Sequence, residues 1–231
     1  MRPLSPRTMP RAARREQIIE AAREVIEEHG PEAFIGQIAE RAGLARPNIY
    51  RHFAGKDELD LLVARSAYRE LRASILARLD VSGTPIDVIR APIAAQVSWA
   101  ADHPNLYRFF VTFGYRQRAE LGQGERGVLA RELAAAAARY MPQFGEDAEV
   151  AQATMVGLIG LVDASVLHWL ERPRCNRLEL VEDLTAQAWL IFDLRLRHIG
   201  VTLDPDAPLP TAPDKPPADR STYHEKPPTR S

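Results

Sequence analysis

The apolar residues of this chain recur three and four positions apart in one segment after another from about residue 13 to 198, and nowhere sustain an alternation at period two. A helix turns once in 3.6 residues and a strand exchanges faces every second residue, so this spacing commits the chain to an all-α fold. Ile18, Ala21, Ala22, Val25 and Ile26 form the first stripe, and His29-Gly30-Pro31 ends it. Glycine accepts the left-handed position at a helix end and proline cannot extend the ladder. Two short patterns follow, at about 35–42 (Ile38, Ala39, Ala42) and about 46–52 (Ile49, Tyr50, then Phe53), with Gly43 between them. Longer helices are predicted at about 56–80, 85–102, 104–114, 124–141, 147–171 and 177–198, parted by turn residues such as Gly83, His103-Pro104 and Pro173 to Asn176.

A formal net charge of −1 hides a polarity along the chain: residues 1–56 carry 10 Lys and Arg against 7 Asp and Glu, whereas residues 57–203 carry 16 against 19. Arg2, Arg7, Arg11, Arg14 and Arg15 supply most of the excess, so residues 1–12 are predicted to be a flexible basic arm. Eight prolines among residues 204–231 predict a disordered tail, with too little apolar surface to offset the entropy of ordering. Cys175 stands alone, which excludes an internal disulfide and a cysteine-based zinc site and suits a reducing cytoplasm. The first ten residues lack the apolar stretch of a secretion signal, and no run of about 18 apolar residues is found, so no membrane span is expected.

The stretch from Phe34 to Leu59, FIGQIAERAGLARPNIYRHFAGKDEL, carries the most chemistry. A helix-turn-helix needs small apolar residues that seat one helix on the next, a tight turn and a second helix short enough for the major groove. Ile38, Ala39, Gly43, Leu44 and Ile49 meet those needs in order. Around them, Arg15, Ile18, Ala21, Ala22, Gly30, Tyr50, His52-Phe53 and Lys56-Asp57-Glu58-Leu59 stand at matching spacing, and residues 13–60 together resemble the TetR family of transcriptional regulators. The resemblance implies an N-terminal three-helix DNA-binding domain at 13–56, a larger helical ligand-binding and dimerisation domain at 57–203, double-stranded operator DNA and a small-molecule effector as partners, and repression as the outcome.

On the second motif helix, Arg46, Asn48, Arg51 and His52 are polar where Ile49 and Phe53 are apolar. Arg46 or Arg51 has the donors for a bidentate contact to guanine, and Asn48 those for adenine. Tyr50, His52 and Lys56 match the family's phosphate-contacting positions, which set register without reading sequence. Two departures stand out: Ile35-Gly36 and Ala45 occupy places where the family usually has a hydroxyl that caps a helix and meets a phosphate. Gly36 still exposes backbone N–H, and Pro47 suits a first helical turn.

In the second domain, Trp99, Tyr107, Phe110, Phe113 and Met155 are candidates to line a cavity for an apolar or amphipathic effector, against the alternative of ordinary core. Asp163 and His168 interrupt the apolar run MVGLIGLVDASVLHWL and require partners if buried. A subunit interface, then solvent, then a ligand is the expected order. Gly157, Gly160 and Ala164, with Leu180, Leu184, Ala188, Ile191 and Leu194 on the last helix, suit a homodimer seam through the helices at about 147–171 and 177–198. No glycine-rich phosphate loop, nucleophile elbow or metal-spaced histidine pair argues for an enzyme, and neither cofactor nor metal is expected. A helical adaptor that has lost DNA binding is the remaining alternative.

Overall fold

Strong N-caps stand where several helices begin. Asn176 accepts from the N–H groups of Leu178 and Glu179 at 2.9 and 3.0 Å, while Glu179 accepts from the Asn176 N–H at 2.9 Å. Thr84 and Asp87 make the same reciprocal pair ahead of Pro85. The computed structural model describes residues 10–79, 83–116 and 125–209, with the side chains of 114–116 excepted. Within them lie α1 (Arg11–His29), α2 (Ile35–Arg41), α3 (Arg46–Ile49), α4 (Lys56–Leu76), α5 (Pro85–Asp102), α6 (Pro104–Arg116), α7 (Glu125–Tyr140), α8 (Ala148–Glu171) and α9 (Arg177–His198). A 3-10 turn, Pro142–Gly145, joins α7 to α8. The all-helical expectation holds for every described element, and no described segment is a strand.

Helices α1 to α3 pack on one another and meet the rest of the chain through α1 against α4 and α6. Helix α4 runs from that unit into the second domain, where it touches α5, α6 and α7. One continuous apolar core extends from Ile18 to Leu196. Burial of such surface at roughly 25 cal/mol per Å² is the main force holding helices whose isolated propensities are weak.

Three expectations need correction. The second motif helix is helical only over Arg46–Ile49. The N–H groups of Arg51 and His52 bond back three residues to Asn48 and Ile49, which tightens the chain into a turn before position 53. Helix α4 likewise ends at Leu76, with three-residue bonds to Arg78 and Leu79. The predicted disordered tail starts too early: residues 204–209 fold back, and the Leu209 N–H donates to the Gly83 carbonyl at 2.8 Å. Residues 1–9 and 210–231, and with them Arg2, Arg7 and most of the tail, lie outside the described residues.

Helix α8 is long and apolar enough to cross a membrane by length and composition only, although Gln152, Thr154, Asp163, Ser165 and His168 interrupt its apolar residues. It packs against α5, α6, α7 and α9 and carries Asp163 into the interior. A third of its most apolar window is buried within the chain.

Candidate DNA-binding face and effector cavity

The turn between α2 and α3 is built on Gly43, whose φ of +66° is a left-handed conformation that costs other residues about 1–2 kcal/mol. Its place between Ala42 and Leu44 lets Ile38 and Ile49 meet in the core. Half of a capping box starts α2: the Gln37 side chain accepts from the Phe34 N–H at 2.8 Å, and Phe34 has no side-chain acceptor to return the bond. At α3, Ala45 gives no side-chain cap and Pro47 sits in the first turn.

Arg15 on α1 positions the segment after α3. Its guanidinium lies 4.4 Å from the Phe53 ring centre, donates to the His52 carbonyl, and pairs with Glu58 at 2.7 Å. Glu58 in turn accepts from the Ala54 N–H at 2.6 Å. Arg41 is held by Glu24 and Glu28, and Arg23 by Glu20 and Glu70. Arg46 and Arg51, by contrast, are exposed and make no ion pair among the described residues. Tyr50 is 49% exposed, Asn48 is half-buried, and Gly36 and Pro47 are exposed. The ammonium of Lys56, expected to meet a phosphate, is bound to the Asp60 carboxylate at 2.7 and 2.8 Å. Burial, and then the guanidiniums of Arg11, Arg14, Arg15 and Arg51, hold the pKa of His52 below the ordinary 6.5. The sequence placed Arg11 in the arm; it lies instead in the first turn of α1, which brings its charge, with that of Arg14, to bear on His52.

The second domain contains a cavity of about 130 Å³ bounded by α4, α5, α7, α8 and α9. Met155 lines it, as expected. Trp99, Tyr107, Phe110 and Phe113 do not. They are buried in packed rings: Tyr107 stands edge-on to Phe110 at 5.1 Å, Trp99 lies 5.9 Å from Phe110, and Phe113 stacks on Phe109 at 5.8 Å. Aromatic rings this close fill their own space, so the wall falls to aliphatic residues of α5, α7 and α8 that helical periodicity marks only as core. Apart from Gln96 and Tyr140, every side chain in the wall is hydrocarbon or thioether. Leu203 and Leu209, from the folded-back segment, close part of it.

Asp163 is neither at a subunit interface nor in solvent. It is 2% exposed, paired with Arg126 at 2.9 Å, and accepts from Gln96 at 2.8 Å and Tyr107 at 3.2 Å. Burial raises its pKa against the opposing pull of Arg126 and the two donors. His168 is exposed. On α9, Leu180, Leu184 and Ala188 are buried within the chain, whereas Ile191 and Leu194 are exposed at 43% and 59%. Gly157 and Ala164 are exposed on α8, and a Cβ added at Gly157 or Gly160 would meet nothing within 4 Å.

Two connections join the second domain to the DNA-binding unit. Glu70 on α4 accepts from Trp99 Nε1 of α5 at 3.1 Å and pairs with Arg23 of α1. Glu27 of α1 accepts from the N–H groups of Asn105 and Leu106, capping the start of α6 at 3.3 and 3.1 Å.

Residues 18–61 match the model of the bacterial regulatory proteins of the tetR family. An uncharacterised HTH-type transcriptional regulator of Mycobacterium tuberculosis is 25% identical over 177 residues, 76% of each chain. The HTH-type transcriptional activator FasR of Mycolicibacterium smegmatis is 26% identical over 183 residues, 78% of this chain and 84% of that one. Among solved structures, a tetR-family regulator from Streptomyces coelicolor superposes with a TM-score of 0.62 at 21% identity, covering 83% of this chain and 87% of that one. The transcriptional regulator FadR of Bacillus subtilis, solved with stearoyl-CoA, gives 0.56 at 20% identity over 75% and 96%. The helix-turn-helix, the domain behind it and these relatives agree: the chain belongs to the TetR family and is a DNA-binding transcriptional regulator, not an enzyme.

Proposed function

We propose that the chain is a cytoplasmic homodimeric repressor that holds operator DNA through α3 and its flanks and is released when an apolar or amphipathic small molecule fills the cavity. In this reading, residues 13–56 bind DNA and the helices from position 57 onward bind effector and partner. Arg46, Asn48 and Arg51 meet base edges, while Gly36, Pro47, Tyr50 and His52 meet phosphates and sugars. Lys56 joins the phosphate contacts only by exchanging its bond to Asp60. The observation that carries the effector reading is that α4 and α5 supply both the cavity wall and the Glu70 link to α1. A ligand that spreads α5 from α4 pulls on Trp99 and hence on the Glu70–Arg23 pair. Trp99 then serves as a relay and not, as the sequence suggested, as the cavity's own surface. The stearoyl-CoA in the FadR structure supports an acyl chain as one ligand class.

The test is operator binding to the DNA upstream of the chain's own gene, with and without acyl-CoAs of graded length. Effector and operator should weaken each other by the same factor, about 5- to 150-fold. Arg46→Ala or Asn48→Ala should relax preference at particular base pairs, at a cost of roughly 1–3 kcal/mol, and Tyr50→Ala should weaken all sequences alike. Unchanged operator affinity at saturating ligand defeats release. Transcription that rises when the regulator binds assigns activation, the role in FasR's name.

A further inference from the structure

We propose that Gln96 makes the cavity selective for an apolar molecule carrying a neutral hydrogen-bond donor, a hydroxyl or an amide N–H, because a buried network locks the Gln96 amide with its oxygen as the available atom. The proposal rests on the reading of this cavity as the effector site.

Gln96 stands on α5, is 6% exposed, and is part of an otherwise almost wholly hydrocarbon wall. Its Nε2 donates to the Tyr107 hydroxyl at 2.9 Å and to Asp163 Oδ1 at 2.8 Å, which uses both amide hydrogens. The Tyr107 hydroxyl gives its own hydrogen to Asp163 Oδ1 at 3.2 Å. Arg126 holds the other carboxylate oxygen at 2.9 Å, so Asp163 is an acceptor toward both neighbours. Turning the amide over would aim Oε1 at a carboxylate oxygen and at a phenol whose hydrogen is already given away. Two hydrogen bonds would be exchanged for repulsion between oxygens. The orientation is therefore fixed by chemistry, and no described residue donates to Oε1.

A lone acceptor in an apolar wall discriminates by what it is left without. A ligand hydroxyl satisfies it; an alkane or an ether of the same shape leaves it unpaired. A carboxylate brings no donor and adds negative charge close to Asp163. Tyr107 and Asp163 do not touch the ligand and act as positioning residues through Gln96.

The experiment is calorimetric titration of the full chain with 1-octanol and with its isomer 1-methoxyheptane, which differ in the donor and not in atom count. The alcohol should bind about five- to tenfold more tightly. In Gln96→Leu that preference should fall to about one, and in Tyr107→Phe, which keeps the Gln96–Asp163 bond, to an intermediate value. Because Gln96→Leu strips a donor from buried Asp163 and can unfold the chain, the wild-type Gln96 side-chain carbonyl is also followed by 13C NMR. Its resonance should move with the alcohol and stay with the ether. Equal affinities for the two isomers, or equal carbonyl shifts, overturn the proposal and leave the effector site standing. Binding of neither isomer overturns the effector site itself, and the proposal with it.

Discussion

His52 illustrates how charge is prepared for a polyanion. In the free chain, burial and four guanidiniums keep its pKa under 6.5, so the ring is neutral at pH 7. A phosphate docked on this patch offsets the guanidinium field and favours the imidazolium. Its pKa then rises on binding, a proton is taken up, and operator affinity should increase as pH falls from the bound-state pKa toward the lower free-state one, by at most about tenfold per pH unit for one proton. Folding has the opposite sign. In the same window the unfolded chain binds more protons at His52 than the folded one, so this residue's contribution to stability declines as pH falls from 6.5. Fluorescence anisotropy at constant salt between pH 5.5 and 7.5 measures the first slope, and urea unfolding the second. His52→Gln should remove both; an unaltered binding slope would show that no phosphate reaches the ring. A second residue-scale expectation concerns the missing hydroxyl at α3. Ala45→Ser supplies the absent cap and should raise stability by about 1 kcal/mol in urea unfolding. No gain would mean that the α3 N-terminus has another partner.

At the scale of elements, the segment after α9 belongs to the second domain. Leu203 and Leu209 close the cavity, and the Leu209–Gly83 hydrogen bond ties this segment to the connection between α4 and α5. Comparing chains that end at Leu203 and at Leu209 isolates residues 204–209. The shorter chain should lose about 1–2 kcal/mol, the sum of a partly buried leucine and one hydrogen bond, and bind the dye 1-anilinonaphthalene-8-sulfonate more tightly through the opened wall. Equal stability and equal dye binding would mean that the contact contributes nothing. Proline count predicted disorder from residue 204 because composition weighs a whole stretch. Two leucines placed opposite an apolar opening are enough to order the first six residues.

For the whole molecule, α8 and α9 present an apolar face that the chain itself does not cover. Val156, Leu190, Ile191 and Leu194 are 43% to 67% exposed beside the small residues Gly157 and Ala164. A patch of this kind marks an interaction surface, and a second copy with the same face would bury it isologously. Two half-sites are then read together, which multiplies affinity by about 10² to 10⁴ over one. Leu194→Glu should give a monomer in sedimentation with an intact helical spectrum, and operator affinity lower by at least about 10²-fold. A dimer that survives the substitution would place the interface elsewhere. Between α7 and α8, Arg126→Leu should cost about 3–5 kcal/mol by leaving Asp163 buried without its cation.

Sequence by itself determined the helices and the DNA-binding motif, because both are local. Periodicity, caps and a glycine turn act over fewer than ten residues, and the match from Arg15 to Leu59 lies within one contiguous stretch. Tertiary structure alone decided which apolar residues surround empty space and which fill it. Trp99 and Met155 carry the same helical signal, yet one is packed against rings and bonded to Glu70 while the other faces the cavity. It also decided the fate of Asp163, whose partners Gln96, Tyr107 and Arg126 come from three other helices. A buried charge is settled by neighbours distant in sequence, and their distance in space is set only when the helices pack.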